Sequence, residues 1–213
     1  MGNESHPLTG GVPRVKRHER HVRPTRLLIM GPQGSGKGTQ AKRIAATFDI
    51  PTISTGDIFR ANIKGGTELG KIAKQYTDKG ELVPDEITNA MVKDRLSAND
   101  VTGGFLLDGY PRTAAQVEAL DHILTELGYH PLDGVIELTA DRDELMRRIA
   151  GRAVAEGRDD DTPAAIERRL ELYEKSTAPL TKHFKERGLL AQVDGMGEVE
   201  EVTDRIVAAL DAL

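Results

Sequence analysis

With 213 residues, 38% of them hydrophobic, the chain has the size of one globular domain, and its net charge of −5 argues against a general nucleic-acid-binding protein. It contains no cysteine, which excludes disulfides and cysteine-bound zinc. No apolar stretch reaches the ~18 residues of a membrane span, and the N-terminal region lacks the hydrophobic core of a secretory signal, so we expect a cytoplasmic protein.

The first 25 residues differ in composition from the rest of the chain. They carry five basic residues and three of the six histidines, with almost no periodic apolar content. This composition predicts a disordered basic tail. Two interpretations of this tail stay open: it makes weak contact with an anionic surface, or it is an extension without function. We expect the folded domain to comprise residues 26–213.

From Arg26 onward, short apolar runs alternate with helical patterns. Strands are predicted at 26–30, 51–54, 104–108, 134–139 and 189–193. Helices are predicted at 37–48, 56–64, 68–79, 85–97, 113–127, 141–150, 162–187 and 198–212. This alternation predicts an α/β fold, with a five-stranded parallel sheet covered by helices on both faces. Ligands of such sheets bind beyond the carboxyl ends of the strands.

The first predicted strand runs into a glycine-rich turn that opens the first helix. Residues 31–39 read Gly-Pro-Gln-Gly-Ser-Gly-Lys-Gly-Thr, which is typical of a phosphate-binding loop. Glycines let the chain curl so that N–H groups point inward, and the helix adds its positive N-terminal end. The hydroxyl expected near the metal, on Thr39, comes one position later than in the general pattern. The predicted phosphate contacts come from Gly34, Ser35, Gly36, Lys37, Gly38 and Thr39.

Two further stretches follow predicted strands. Residues 54–60 read Ser-Thr-Gly-Asp-Ile-Phe-Arg, and residues 106–113 read Leu-Leu-Asp-Gly-Tyr-Pro-Arg-Thr. The third strand would deliver Asp108 at its carboxyl end. The tight turn after it would project Arg112 beside the phosphate-binding loop. These positions predict a second anion site next to the first.

The three motifs occur in the order and rough spacing of adenylate kinases, and the chain resembles that family of nucleoside monophosphate kinases from about Arg26 to its C-terminus. The resemblance implies a P-loop kinase fold with a nucleoside-monophosphate-binding (NMP) segment at about 54–84. It implies AMP contacts from Thr55, Arg60, Glu81, Leu82, Val83, Gly109, Tyr110, Pro111, Arg112 and Gln116. A glutamine amide can both donate to and accept from the adenine edge. The resemblance implies an asparagine at this position in the kinases for UMP and CMP, so Gln116, together with Thr55, favours AMP over UMP, CMP or GMP.

Further arginines suit a reaction that brings two nucleotides together, because forked guanidinium groups bind pairs of anionic oxygens. The resemblance implies contacts to ATP from Arg148 and Arg152, to both nucleotides' phosphates from Arg158 and Arg169, and to the donor adenine from Gly197. Asp160 and Asp161 match a family pair that orients these arginines.

A short lid is implied between the helices that carry these arginines. Only about eleven residues, 151–161, separate the predicted helices. Longer members of the family insert a β-rich piece here, often with a cysteine-bound zinc. The short length and the missing cysteines imply a lid loop without structural metal. Gly151 and Gly157 are its candidate hinges.

The resemblance implies a monomeric enzyme that transfers a phosphoryl group reversibly from ATP to AMP, giving two ADP and maintaining the adenine nucleotide balance. Its implied catalytic residues are Lys37, Asp108, Arg112, Arg152, Arg158 and Arg169, with Mg²⁺ entering with ATP near Asp108 and Thr39. Three alternatives stay open: a UMP, CMP or GMP acceptor, GTP as the donor, and a nucleotide-binding switch. A switch would need neither an acceptor pocket nor clustered arginines.

Overall fold

A computed structural model of the chain describes residues 25–156 and 161–213, with the backbone alone for 153–156. Four predicted features lie outside the described residues: the basic tail up to residue 24, the candidate hinge Gly157, and the site positions Arg158 and Asp160. The first strand begins at Thr25, one residue earlier than predicted.

Five parallel strands form one sheet. They are β1 (Thr25–Met30), β2 (Thr52–Ser54), β3 (Gly104–Asp108), β4 (Gly134–Thr139) and β5 (Leu190–Asp194). Their spatial order is β2-β3-β1-β4-β5, and every neighbouring pair is parallel. The predicted five-stranded parallel sheet is confirmed, with strand ends that differ by no more than one residue.

The helices between the strands begin where short polar side chains can cap them. Ser54, Thr67, Thr113 and Thr162 each accept a hydrogen bond from a backbone N–H in the first turn that follows. The helices are α1 (Lys37–Phe48), α2 (Thr55–Gly65), α3 (Glu68–Thr77), α4 (Asp85–Leu96), α5 (Ala114–Glu126), α6 (Arg142–Glu156), α7 (Pro163–Leu172), α8 (Leu180–Glu186) and α9 (Val199–Asp211). Over the described ranges, none of them combines the length and hydropathy of a membrane-spanning segment.

Two predicted helix bounds are wrong. The single helix expected over 162–187 is divided into α7, a π-helical turn at Tyr173–Thr177 and α8. Pro179 has no N–H to continue the α-helical ladder, which explains the break. The helix expected to stop at residue 150 continues to Glu156, because a single glycine, here Gly151, weakens a helix by only about 1 kcal/mol. The first part of the predicted lid is therefore helical.

Alternate residues of the central strands supply two cores. Leu28 and Leu107 face the side covered by α4, α5 and α8, whereas Leu27 and Leu106 face the side covered by α1 and α9. All four are almost fully buried, and burial of a leucine contributes about 1.5–3 kcal/mol. The sheet is thus a rigid base for the loops at its carboxyl edge.

The segment from α2 to the start of α4 has a small core of its own. Phe59, Ala73 and Val83 pack together there, apart from the two cores of the sheet. Leu145 and Ile149 of α6 form a further cluster with Ile166 and Leu170 of α7. The expected NMP segment and the helices flanking the lid therefore pack as separate units above the sheet.

Candidate active site

The glycine-rich loop leaves the central strand β1 and packs tightly against its neighbours. Gly34 has φ of 86°, and a Cβ added there would lie 2.9 Å from the Leu145 carbonyl oxygen of α6. A larger residue would require both a strained backbone and a shift of α6. Ser35 is buried, and its hydroxyl has no hydrogen-bond partner within the described part of the chain. Close packing therefore holds the loop in its curled shape, and the Ser35 hydroxyl is available for a ligand.

Lys37, the first residue of α1, folds back over this loop. Its Nζ donates to the carbonyl oxygens of Gly31 at 2.7 Å and Pro32 at 3.0 Å. Removal from water lowers the pKa of Lys37 to about 8; Asp108 opposes the shift, whereas Arg112 and Arg152 add to it. The structure thus brings together four side chains that the sequence assigned to the site.

Asp108 ends β3, next to the loop. Burial raises the pKa of its carboxyl group, and the cations Lys37 and Arg112 oppose that shift. Burial in turn lowers the pKa of Arg112, which Asp108 opposes and Arg169 and Arg60 reinforce. At the carboxyl edge of β1 and β3, the Asp108 carboxylate thus interacts with both Lys37 and Arg112.

Arg112 is held at three points. Its Nε donates to the Gly109 carbonyl oxygen at 2.8 Å, and its backbone N–H donates to Gln116 Oε1 at 2.7 Å. Its carbonyl oxygen accepts from Thr177 Oγ1 at 2.8 Å. Sequence reasoning missed Thr177, because the bond joins residues 65 positions apart and depends on where the π-helical turn packs.

Gln116 is almost fully buried, and both ends of its amide already have partners. Oε1 accepts from the Arg112 N–H, and Nε2 donates to Asp85 Oδ1 at 2.7 Å. The glutamine therefore ties the Arg112 turn to the start of α4. The contact with adenine stays a prediction, and it would use the second amide hydrogen and the second lone pair of Oε1.

Other predicted acceptor residues line the space between α2 and the Arg112 turn. Thr55 is buried and donates to the Gly109 carbonyl oxygen at 3.0 Å. Arg60 pairs with Asp57 on the exposed face of α2.

The predicted acceptor residues at 81–83 and 110–111 differ in exposure. Glu81 is exposed and Leu82 half-buried, while Val83 points into the small core of the NMP segment. Tyr110 and Pro111 are buried, and the Tyr110 hydroxyl donates to Asn89 Oδ1 at 2.7 Å. The side chains of Val83 and Tyr110 therefore pack in the interior and support the surrounding backbone.

The Asp161 carboxylate connects the loop with two helices. Its Oδ2 accepts from Arg152 Nη2 at 2.8 Å, and its Oδ1 accepts from Arg169 Nη1 at 2.7 Å and from Gln33 Nε2 at 2.8 Å. The Asp161 side chain has 0% exposure. Arg169 also donates through Nη2 to the Thr77 carbonyl oxygen at 3.1 Å. The expected pairing of Asp161 with arginines is present, and Gln33 is a partner that sequence reasoning missed.

Arg148 lies between α6 and the loop that follows β5. Its Nε donates to Glu144 Oε1 at 2.7 Å, and its Nη1 donates to the Gly195 carbonyl oxygen at 3.2 Å. Arg205 of α9 holds the same loop from the other side, donating to the carbonyl oxygens of Asp194 and Met196. The loop that contains Gly197 is thus fixed by two guanidinium groups, of which sequence reasoning found one.

Metal-ligating residues do not cluster here. Within 25–156 and 161–213, no group of three or more His, Cys, Asp or Glu side chains is placed to hold a metal ion. Asp108 at the end of β3 and Thr39 in the first turn of α1 are the oxygen donors that the sequence assigned to the metal. Such a donor set suits Mg²⁺, which takes few protein ligands when it binds together with nucleotide phosphates.

A parallel sheet whose central strand runs into a glycine-rich loop, with a lysine folded over that loop, defines a P-loop protein that binds nucleotide phosphates. Comparison with known proteins narrows this class: the family model described as adenylate kinase matches residues 29–189. The chain belongs to the adenylate kinase family, as the resemblance of its motifs predicted.

Individual relatives agree over nearly their whole length. The chain is 59% identical over 187 residues to an adenylate kinase of Kocuria rhizophila, covering 88% of this chain and 99% of the relative. It is 60% identical over 186 residues to one of Bifidobacterium longum, covering 87% and 100%. A third, of Thermobifida fusca, is 54% identical over 185 residues, covering 87% and 97%.

Proposed function

We propose that the chain catalyses the reversible transfer of the γ-phosphoryl group of ATP to AMP, giving two ADP, and so balances the adenine nucleotides. The observation that carries this proposal is the adjacency of two cationic sites. Lys37 lies over the loop after β1 and Arg112 lies in the turn after β3. Both cations act on the same carboxyl group, because each opposes the rise that burial causes in the pKa of Asp108. One site suits a nucleoside triphosphate and the other a monophosphate.

Donor binding is assigned to the loop and to α6. The backbone of Gly34, Ser35, Gly36 and Gly38 would surround the phosphates, and Lys37 would exchange its bonds to Gly31 and Pro32 for bonds to β and γ oxygens. Arg148 and Arg152 would approach the same phosphates from α6. The backbone at Gly197 would contact the adenine. Arg148 and Arg205, which donate to carbonyl oxygens of this loop, would hold it in position.

Acceptor binding is assigned to the turn after β3 and to α2. Arg112 and Arg60 would hold the AMP phosphate, beside Thr55 and the turn that begins at Gly109. Gln116 and the backbone near Val83 would contact the base. Arg158 is part of this proposal through the family resemblance alone, because it lies outside the described residues.

The chemical step needs positioning and charge neutralisation, because the transition state of phosphoryl transfer is loose and no covalent intermediate is required. The AMP phosphate is already anionic, so no side chain has to remove a proton from it. Arg112, Arg152 and Arg169 would stabilise the charge in transit, each contributing about 3–4 kcal/mol. Mg²⁺ bound to ATP would neutralise the β and γ oxygens, and Asp108 through water and Thr39 are the residues that would hold it.

Closure around the two nucleotides would exclude water and so prevent hydrolysis of ATP. The NMP segment and the lid are the proposed moving parts. Arg169 already contacts both, since it binds Asp161 at the end of the lid and the Thr77 carbonyl oxygen at the end of α3.

We further propose a monomeric cytoplasmic enzyme without a zinc site and without a nucleic-acid partner. The acidic net charge argues against a nucleic-acid partner, and the lack of cysteine argues against cysteine-bound zinc. The family resemblance supports the monomer. Light scattering after gel filtration tests the monomer, and metal analysis of the purified protein tests for zinc.

Incubation with ADP and Mg²⁺ tests the reaction. We expect ATP and AMP to appear in equal amounts, with a Lys37→Ala variant as the inactive control. Absence of both products, or release of inorganic phosphate with AMP, would contradict the proposal. Parallel assays with AMP, UMP, CMP and GMP as acceptors, and with ATP or GTP as donor, decide between the alternatives that the sequence left open.

A further inference from the structure

A buried carboxylate in the middle of β4 has no place in the mechanism above. Glu137 is 6% exposed and lies on the face of the sheet that Val135 shares. It accepts from Gln192 Nε2 at 2.7 Å and is also hydrogen-bonded to the Tyr173 hydroxyl. A buried carboxylate is costly unless its hydrogen bonds are satisfied. The Tyr173 hydroxyl therefore offsets part of that cost, and the bond connects the Tyr173 side chain with the sheet.

Tyr173 is the first residue of the π-helical turn between α7 and α8. Its carbonyl oxygen accepts from the Ala178 N–H at 2.7 Å, a bond that spans one residue more than an α-helical bond. Turns of this kind occur frequently at functional sites. Here the wider turn ends at Thr177, whose hydroxyl reaches the Arg112 carbonyl oxygen.

The Thr177 hydroxyl therefore joins this turn to the arginine proposed to hold the acceptor phosphate. Thr177 is 7% exposed, so water does not readily replace its bond. The helices on either side are held independently, since Leu170 packs against α6 and Leu180 and Phe184 pack into the core of the sheet. Loss of the hydroxyl alone would leave this packing in place.

We infer that Thr177 is a positioning residue for Arg112, and that Glu137 and Tyr173 form a strut that holds Thr177 in place. The inference rests on the proposed function, because Arg112 acts on the acceptor phosphate. Of the three bonds that fix Arg112, the one from Thr177 is the only one that comes from outside the turn and its adjoining helix α5. It sets the angle at which the Arg112 peptide leaves the turn. A small misplacement of such a group can slow the chemical step by up to about 100-fold.

Three variants with similar shapes test the role of the hydroxyl. Thr177→Val removes the donor, Thr177→Ser keeps it, and Thr181→Val removes a comparable bond, from Thr181 Oγ1 to the Ala178 carbonyl oxygen, in the same part of the chain. We expect Thr177→Val to lower kcat by about 10-fold and to raise the KM for AMP, with the KM for ATP within about twofold. Thr177→Ser and Thr181→Val should keep kcat within about twofold of the wild type. Thr181→Val should lose about as much thermal stability as Thr177→Val, because each removes one hydrogen bond.

The strut is tested by a double-mutant cycle. Tyr173→Phe should lower kcat in the same direction as Thr177→Val, and the double variant should be no worse than Thr177→Val alone, because both changes release the same contact. Additive losses would overturn the strut.

Wild-type kcat and KM for AMP in Thr177→Val, or equal losses of kcat in Thr177→Val and Thr181→Val, would overturn the positioning role. These results leave the proposed function intact as long as the wild-type protein converts ADP to ATP and AMP. A wild-type protein without that activity would contradict the proposed function itself and this inference with it.

Discussion

Asp161 and Arg169 form an ion pair with 2.7 Å between Oδ1 and Nη1, and the Asp161 side chain is inaccessible to water. The same carboxylate binds Arg152, and Arg169 continues to the Thr77 carbonyl oxygen at the end of α3. The pair therefore links α6, which carries the proposed donor contacts, with α3 of the expected NMP segment.

Asp161→Asn keeps the shape of this residue and removes its charge. We expect a loss of kcat of about 100-fold, since two arginines lose their fixed orientation, and a decrease in the free energy of unfolding of about 3–5 kcal/mol. Steady-state kinetics and urea titration measure the two effects. The exposed Asp211→Asn at the end of α9 is the control. Unchanged kcat in a less stable Asp161→Asn protein would show that the pair is structural only.

Lys37 predicts a pH dependence of catalysis. Its pKa of about 8 means that the free enzyme loses the charge of this ammonium group as the pH rises through about 8. We expect kcat/KM for ATP to decrease above that pH, because kcat/KM reports on the free enzyme. The decrease in kcat should come at higher pH, since bound phosphates stabilise the ammonium group. A flat kcat/KM profile between pH 7 and about 9.5 would contradict the assigned role.

The same lysine affects stability with a defined sign. Between pH of about 8 and the model-peptide value of 10.5, the unfolded chain binds the proton that the folded protein has lost. The contribution of Lys37 to the free energy of unfolding therefore increases with pH across this window. Urea titrations of the wild type and of Lys37→Met at several pH values measure it. We expect the free energy of unfolding of the wild type to increase relative to that of the variant as the pH rises. An opposite trend would contradict the lowered pKa.

Gly80 lies where the end of the NMP segment touches α7. Its φ is 72°, and an added Cβ would lie 2.3 Å from the Ala165 carbonyl oxygen. Gly188 has φ of 69° and open space around it, so Gly188→Ala reports the backbone strain alone. We expect Gly80→Ala to raise the KM for AMP by about 10-fold and to cost about 1–3 kcal/mol more stability than the control. Equal effects of the two substitutions would mean that the close approach carries no function.

Arg205 predicts a selective effect on the donor. It holds the carbonyl oxygens of Asp194 and Met196 in the loop before α9. Arg205→Gln should raise the KM for ATP by about 10-fold, since bonds from a charged group are worth about 1.5–3 kcal/mol, and leave the KM for AMP unchanged. Arg43→Gln, which removes surface contacts to Thr203 and Glu200 of the same helix, is the control. Equal changes in both KM values would contradict the assignment of this loop to the donor.

The sequence predicted the fold because its signals are local. Continuous apolar runs such as residues 27–30 mark strands buried on both faces, and the glycine-rich loop specifies both the turn and the helix that follows. Each of the two wrong helix bounds has a local cause. Pro179 should have divided the last long helix, and Gly151 was not sufficient to end α6.

The contacts that orient the site were beyond sequence reasoning. Gln33 and Asp161 are 128 positions apart, and Thr177 is 65 positions from Arg112. Nothing in the local pattern of these residues marks them, because their partners are determined by tertiary packing. The motifs therefore identify the charged candidate residues, and the structure identifies the polar neighbours that orient them.

The proposed function requires that Lys37 and Arg112 hold two nucleotides side by side. Calorimetric titration with a dinucleotide in which two adenosines are joined by five phosphates tests it most directly. We predict one ligand per chain, and a loss of affinity of about 10-fold or more in each of Lys37→Ala and Arg112→Ala. Binding of two ligands per chain, or affinity unchanged in either variant, would contradict the claim.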